Sequence, residues 1–220
     1  MSIAEKLTTI AENQQRVYDA GQQAEYDRFW DLYQQNGTRY NYQYGAFGGT
    51  GWTDATYKPK YPVKPKHPYM MFMGCGMTEI KGVDFSNAND LQNTFAYSTS
   101  LVRIGAINAP SATNASNILN GCTKLQTVEN LTIGEACYFN ANSFNCAALE
   151  NITIGGVIGC NVDFHLCTKL THDSLMSIIN ALKNLTGTGT TYTLTLGATN
   201  LAKLTDAEKA IATEKGWTLA

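Results

Sequence analysis

Cysteine and histidine are the side chains of this chain best suited to metal binding or redox chemistry. The sequence holds six cysteines and three histidines. A zinc site would use His165, Cys167 and His172, but a structural zinc site draws its ligands from two closely spaced pairs, and these three do not match that spacing. We therefore expect no metal and no cofactor.

Three of the cysteines recur at similar intervals, namely Cys122, Cys146 and Cys167. Stacked repeats would place them about 4.8 Å apart, which is close to the range in which disulfides form. However, free cysteine is among the most buried residue types and behaves as a small apolar side chain. We expect reduced, buried thiols here, and reduced thiols in a second column of Cys137 and Cys160.

No arrangement of residues in the sequence predicts catalysis. The chain has neither a Gly-x-Ser-x-Gly nor a His-Glu-x-x-His motif. The aspartates that could serve in glycoside hydrolysis show no useful pairing; they are Asp84, Asp90, Asp163 and Asp173. The glycine-rich turn at 48–51 lacks the Gly-Lys-Ser/Thr ending of a phosphate-binding loop. We expect a protein that is not an enzyme.

Composition excludes further classes of protein. Charged residues make up 15% of the 220 residues and the net charge is -2, which argues against a nucleic-acid binder that works by bulk charge. No apolar run approaches the roughly 18 residues of a membrane span. The first residues do not resemble a signal peptide, so we do not expect export by the usual route.

An internal repeat organises the larger part of the chain. A first apolar column, the leucine column, recurs at one constant interval at Met77, Leu101, Leu125 and Leu149. A second column follows three residues later at Ile80, Ile104, Val128 and Ile152, and a third at Val83, Ile107 and Leu131. Because one repeat unit cannot bury its apolar face alone, such self-similarity predicts stacked coils, each packed on the next.

The cysteines are in register with this repeat. Cys122, Cys146 and Cys167 each precede a leucine-column position by three residues, and Ser98 takes that place one coil earlier. The last interval, from Leu149 to Leu170, is shorter than the others. Three residues before the cysteine or serine stand Phe95, Leu119 and Phe164. The unit is therefore Phe/Leu-x-x-Cys/Ser-x-x-Leu-x-x-Ile/Val.

This unit resembles the BspA-type leucine-rich repeat over residues 70–220. The resemblance implies an α/β leucine-rich-repeat solenoid, made mostly of β coils of about 24 residues with α/β coils at the C-terminus. In that C-terminal part we expect a helix at 173–185, strands at 193–197 and 217–219, an asparagine turn at Asn200, and a helix from the Thr205/Glu208 capping box to about Lys215.

Residues 1–35 form the first predicted domain, which is helical. Ser2 and Glu5 match a capping box. An apolar stripe at helical spacing follows at Ile3, Leu7, Ile10 and Val17, and a second stretch holds Tyr26, Phe29, Trp30 and Tyr33. Two interpretations stand: an amphipathic helix that packs on its own chain, or a helix that oligomerises or docks on a partner.

Residues 36–69 form a predicted neck before the repeat domain of 70–220. Its Pro/Lys run at 58–68 is extended and semi-rigid, and fits less well as a basic nucleic-acid patch. Four aromatic residues are candidates for partner binding, namely Tyr40, Tyr42, Tyr44 and Trp52. The alternative for these residues is a small aromatic core that seals the first coil.

The sheet face of the stacked coils is the other candidate for partner binding. Polar residues alternate there with core residues, and they are Gln126, Glu129, Thr132, Glu150, Asn151 and Thr153. A neutral face rich in Asn, Thr and Tyr suits contact with protein or carbohydrate better than with nucleic acid.

Both ends of the chain carry a second resemblance. The segments 3–7, 17–21 and 24–30, and the ending at 200–206 and 215–217, resemble leucine-rich-repeat proteins encoded by phages and prophages of gut Firmicutes. Those proteins look like virion structural or tail-fibre components. The resemblance implies a virion protein that assembles in the cytoplasm. Its N-terminal helices would bind other virion proteins or a second copy of the chain, and its repeats would bind protein or carbohydrate on a cell surface.

A bacterial BspA-like cell-surface adhesin that binds host protein or glycan is the alternative. An adhesin needs an export signal, which the first residues do not show. Both interpretations predict no nucleic-acid partner and no membrane insertion.

Overall fold

The computed structural model describes residues 46–49, 51–59 and 63–220, and ten positions between 6 and 24: Lys6, Thr9, Glu12, Asn13, Gln14, Arg16, Val17, Ala20, Gly21 and Ala24. The chain divides into two compact units, Met1–Tyr40 with Pro59–Tyr61, and Asn41–Lys58 with Pro62–Ala220. In the first unit, the ten positions between 6 and 24 are all helical and exposed. Val17 of the predicted apolar stripe is 74% exposed. The Ser2/Glu5 capping box, the rest of that stripe and the aromatic residues at 26–33 lie outside the described residues.

Four parallel strands form the first sheet of the second unit. They are β1 (Glu79–Ile80), β2 (Arg103–Ala109), β3 (Thr127–Ile133) and β4 (Asn151–Ile154), paired in chain order. The register joins residues one repeat apart, so that Ile80, Ile104, Val128 and Ile152 form a single row. This row is the second apolar column of the sequence, and its side chains are buried.

Three further parallel strands form the second sheet, and helices lie between them along the chain. The strands are β5 (Val162–Asp163), β6 (Thr193–Thr195) and β7 (Thr218–Leu219), and the helices are α1 (His172–Asn180), α2 (Gly197–Leu201) and α3 (Asp206–Glu214). The predicted Thr205/Glu208 capping box of α3 is confirmed. Helix α1 ends five residues earlier than predicted, at Asn180.

Asn200 does not form an isolated turn, because it lies within the short helix α2. Its side chain is fully buried, and the amide nitrogen donates to the backbone carbonyls of Leu196 at 3.1 Å and Cys167 at 3.2 Å. The residue thus ties α2 to the preceding coil, which compensates for burying its amide group.

The core consists of side chains stacked one repeat apart. The leucine column is buried throughout, from Met77 to Leu170. Aromatic rings also stack in the core: Phe72 on Phe95 with centroids 5.6 Å apart, and Phe144 on Phe164 at 4.2 Å. Such burial in successive coils is the main source of stability expected for stacked repeats.

The column of serine and cysteine residues bonds each coil to the one before it. Cys122 Sγ donates to the carbonyl of Phe95 at 3.1 Å, Cys146 Sγ to Leu119 at 3.0 Å, and Ser98 Oγ to Phe72 at 2.7 Å. Serine and cysteine make the same kind of bond at this position of the repeat because both are small donors. All six cysteines are free, and the predicted burial of Cys122, Cys146 and Cys167 is confirmed.

Aromatic residues before the first coil pack on its end. Phe47 is fully buried and lies 5.3 Å from Phe72, and Trp52 and Tyr57 meet its ring edge-on at 5.1 and 5.0 Å between centroids. Backbone bonds fix the contact, including Gly76 N to the carbonyl of Trp52 at 2.9 Å. The described part of the predicted neck from 46 to 58 thus belongs to the second unit.

Candidate binding surface

The exposed side chains of the first sheet form one accessible surface, although strict alternation is interrupted on β2 and β3, where the buried residues Ile104 and Ile107, and likewise Val128 and Leu131, are three residues apart. On β2 the exposed residues are Arg103, Ala106 and Asn108, whereas Ile104 and Ile107 between them are buried. Glu129 on β3 and Asn151 and Thr153 on β4 continue the accessible face. This face is the surface on which the sequence placed most candidate binding residues.

A row of charges crosses the accessible face. The guanidinium of Arg103 bonds the carboxylate of Glu129, and its Nε lies 3.7 Å from Glu79 Oε1. Lys81 Nζ pairs with the same Glu79 at 2.8 Å. All four side chains are at least one third exposed, so these ion pairs contribute little to the stability of the fold. Their main effect is on the pattern of charge that the surface presents.

A depression of about 290 Å³ lies at the end of this face. We call it the β4 groove, and its lining residues are Thr127, Val128, Glu129, Asn151, Ile152, Thr153, Thr171, Asp173 and Ser174. Three predicted binding residues, Glu129, Asn151 and Thr153, meet in it. Carboxylates, an amide and hydroxyls line the groove together, so it can both accept and donate hydrogen bonds.

The groove forms where a helix replaces the next strand. Thr171 caps α1, and the Ser174 hydroxyl accepts from Ile152 N at 2.9 Å while it donates to the carbonyl of Glu150 at 3.0 Å. The Ser177 hydroxyl accepts from Ile154 N at 2.9 Å. Two serines one helical turn apart therefore satisfy the edge of β4 and end the first sheet.

The other predicted sheet residues, Gln126, Thr132 and Glu150, are not among the residues that line the groove. Gln126 is exposed, and its carbonyl accepts from Glu150 N and Asn151 N, both at 3.0 Å. The half-buried Thr132 hydroxyl accepts from Asn130 Nδ2 at 2.9 Å. Glu150 is half-buried, and its carbonyl receives the bonds that start α1.

The aromatic candidates have a different outcome. Tyr40, Tyr42 and Tyr44 lie outside the described residues. Trp52 is half-buried against Phe47 in the cluster that packs on the first coil. For Trp52 the structure therefore matches the alternative of a small aromatic core.

Tyr97 is an exposed aromatic residue that the sequence reasoning missed. Its side chain is 57% exposed, and its backbone is left-handed with a φ of 60°. Gly74 and Gly121 occupy the same place in the neighbouring coils, directly before Cys75 and Cys122. The signal was present in the sequence as a tyrosine in a position that is glycine one coil before and one coil after.

The residues considered as zinc ligands are engaged separately. His165 Nδ1 lies 2.6 Å from Asp163 Oδ1, and His172 Nε2 lies 2.8 Å from Glu208 Oε1. Cys167 is buried and donates to the carbonyl of Phe144. Within the described positions, no three His, Cys, Asp or Glu residues are grouped so as to hold a metal ion. A search of the same positions for a helix long and apolar enough to span a membrane also finds none.

The described surface thus offers a polar groove, a charged row and two exposed tyrosines, Tyr97 and Tyr138. Comparison of the chain with protein-family models, with curated proteins and with solved structures finds no match.

Proposed function

We propose that the chain is a non-enzymatic structural protein of a phage or prophage virion, of the tail-fibre kind, which displays a leucine-rich-repeat solenoid for binding to a surface. The observation that carries the binding role is the β4 groove, where Glu129, Asn151 and Thr153 line one depression of an accessible sheet face. The assignment to a virion rests on the resemblance of the two chain ends to phage-encoded proteins.

The repeat packing supports the solenoid part of the proposal. Strands β1 to β4 pair in chain order and in parallel, in a register that follows the sequence repeat. The serine and cysteine column links successive coils by hydrogen bonds. Stacked repeats of this kind expose a broad face to partners while each unit contacts only its neighbours.

The N-terminal unit supports the proposal that attachment and binding belong to different parts of the chain. It is separate from the repeat unit, and its described positions between 6 and 24 are helical and exposed. Val17, from the predicted apolar stripe, is among them. The apolar stripe predicted from the sequence would suit docking on another virion protein or on a second copy of the chain.

A bacterial cell-surface adhesin is the second candidate, and the BspA-type repeat pattern favours it. The same groove would then bind a host protein or glycan. The two candidates differ in where the protein resides rather than in what its surface does.

Fractionation of an induced lysate separates the two candidates. The strain that carries the gene is induced, particles are purified by density gradient, and the chain is quantified by mass spectrometry. Co-sedimentation with tailed particles, at a constant ratio to the capsid protein, is the expected result. Recovery in the cell-wall fraction alone, with particles present that lack the chain, would exclude the virion role and support the adhesin.

The groove is tested by binding of labelled full-length chain to intact host cells. The variant Asn151→Ala/Thr153→Ala removes two groove side chains, and Asn108→Ala removes an exposed side chain of the same sheet face outside the groove. We expect the double variant to bind about tenfold more weakly, as loss of one or two hydrogen bonds implies, and the control to bind normally. Equal binding by all three proteins would exclude the groove as the binding site.

A further inference from the structure

We propose that Tyr97, with Asn120 and Asn145, forms a binding site for a neutral oligosaccharide, in which one sugar ring stacks on the exposed face of the tyrosine. The inference rests on the proposed surface-binding function and names a ligand class for a site that the β4 groove does not include.

The position of Tyr97 favours glycine. The residue directly before the buried cysteine or serine of each coil is left-handed in three successive coils, with a φ of 68° at Gly74, 60° at Tyr97 and 75° at Gly121. Large side chains are disfavoured in this conformation. Met70, Asn93 and Asn117 are also left-handed, but Tyr97 is the aromatic residue among these described positions and stands where the coils on either side have glycine.

The ring is held in a defined place on the surface. A Cβ added to Gly121 would lie 2.9 Å from Tyr97 Cδ1, which shows that the ring lies directly against the glycine backbone of the next coil. The side chain nevertheless remains 57% exposed. One side of the ring is thus supported by the protein while the rest is available to a ligand.

An amide ladder fixes the tyrosine hydroxyl. Asn145 Nδ2 donates to Asn120 Oδ1 at 3.1 Å, and Asn120 Nδ2 donates to Tyr97 Oη at 3.2 Å. Because Oη accepts in this ladder, its own hydrogen is directed to another acceptor. The ladder ends in a hydroxyl donor at Tyr97 and in the side-chain carbonyl oxygen of Asn145, to which no group in the described part of the chain donates.

Carbohydrate is the ligand class that fits these groups. The C–H bonds on one face of a pyranose carry partial positive charge and pack on the negative face of an aromatic ring. Its hydroxyls can both accept from the tyrosine and donate to an amide oxygen. Tyr97, Asn120 and Asn145 are uncharged, which disfavours a phosphate-bearing ligand because such a ligand is recognised mainly by cations.

Saturation-transfer NMR with defined sugars tests the site. The full chain is mixed in turn with maltotriose, cellotriose and chitotriose, and titrations give the affinity. The test variant is Tyr97→Gly, which adopts the residue of the neighbouring coils and should therefore fold. The control is Tyr138→Ala, since Tyr138 is also 57% exposed but takes part in no side-chain hydrogen bond among the described residues.

We expect transfer to ring protons of at least one trisaccharide, about tenfold weaker binding by Tyr97→Gly, and unchanged binding by Tyr138→Ala. Absence of transfer with all three sugars would overturn the proposal, and so would equal binding by Tyr97→Gly and the full chain.

Cell binding by the same proteins separates this inference from the proposed function. If no trisaccharide gives transfer but the full chain and Tyr97→Gly bind intact host cells equally, the sugar site is wrong while the surface-binding function stands. If the full chain does not bind cells but binds a trisaccharide through Tyr97, the site is supported and the surface-binding function fails.

Discussion

The carboxylate of Asp54 accepts hydrogen bonds from the backbone at Thr78, and in the coils that follow a backbone carbonyl accepts the equivalent bonds. Asp54 Oδ1 accepts from Thr78 N at 2.9 Å and from Glu79 N at 3.3 Å. One coil later, the carbonyl of Thr78 accepts from Val102 N at 2.8 Å and Arg103 N at 3.1 Å. Asp54 lies one repeat before Thr78, so its side chain completes the pattern at the β1 edge.

Replacing Asp54 with alanine should loosen this edge of the sheet. The variant leaves two backbone N–H groups without their acceptor, and loss of comparable caps costs about 1–2 kcal/mol. We expect a lower midpoint of urea unfolding, followed by circular dichroism. Asp54→Asn, which keeps one acceptor oxygen, should lose less. An unchanged midpoint in Asp54→Ala would show that water replaces the carboxylate without loss.

Acid should destabilise the folded chain through Asp84. Hydrogen bonds from Ser86 and then the ammonium of Lys64, 3.0 Å away, lower the pKa of Asp84 to about 2. Because the unfolded chain keeps a higher pKa for this group, it takes up the proton first as the pH falls, and stability is lost between about pH 4 and pH 2.

Asp84→Asn removes this titration. The urea midpoint of the variant should therefore depend less steeply on pH below about 4 than that of the unaltered chain. At pH 7 the variant should be the less stable of the two, mainly because the hydrogen bonds from Ser86 lose their charged acceptor. Parallel pH profiles in the two proteins would contradict the assignment.

Alanine at Ser174 should destabilise the end of the first sheet more than alanine at Ser177. Ser174 is buried and serves both Ile152 N and the carbonyl of Glu150, whereas Ser177 serves only Ile154 N among the described bonds. Leaving buried groups unpaired costs about 1–3 kcal/mol each. Hydrogen exchange at Ile152 and Ile154 measures the effect, with faster exchange at one amide expected in each variant. Unaltered exchange would mean that the hydroxyls do not hold this edge.

Comparing the variants Gly121→Ala and Gly74→Ala separates two costs to stability, that of backbone strain and that of contact with Tyr97. Both glycines are left-handed, so either alanine should cost about 1–2 kcal/mol. Only at Gly121 does the new Cβ meet the tyrosine ring, whereas nothing lies within 4 Å at Gly74. Gly121→Ala should therefore be less stable than Gly74→Ala by about 1 kcal/mol. Thermal unfolding measures the difference, and adding Tyr97→Gly should remove it; an equal cost at both glycines would show that the ring moves freely.

Cys160 should be the first of the six cysteines to react with a thiol reagent. It is half-buried, whereas Cys75, Cys122, Cys137, Cys146 and Cys167 are buried. Burial raises the pKa of Cys137 to about 12, and the adjacent thiols of Cys122 and Cys167 together with burial hold the pKa of Cys146 well above its usual value. Burial also raises the pKa of Cys160, so its partial exposure to the reagent, and not a lower pKa, should make it the first to react.

Reaction with Ellman's reagent at pH 8 measures this order. We expect one thiol to react in the folded chain and six after unfolding in guanidinium. In the Cys160→Ser variant none should react while the chain is folded. Reaction of only four thiols in the unfolded chain would instead reveal a disulfide.

Much of the interior follows from residue spacing. Leu101, Leu125 and Leu149 are equally spaced along the chain and are all fully buried, because a constant interval brings equivalent residues to the same side of every coil. The capping box at Thr205 and Glu208 could also be predicted from the sequence, since it is a local pattern of backbone donors and side-chain acceptors. Structure that depends on a local pattern or a strict period can therefore be predicted from the spacing of residues alone.

The places where the repeat is interrupted were decided by the tertiary structure. Nothing in the spacing indicates that a carboxylate at Asp54 replaces a carbonyl, or that serines on a helix close the edge of β4. The groove beside Asn151 exists because the chain turns into α1 instead of a further strand. Such features depend on which partner lies beside an unpaired edge, and that is set by the assembled coils. The same holds for Tyr97, whose exposure results from a left-handed backbone and a glycine one coil away.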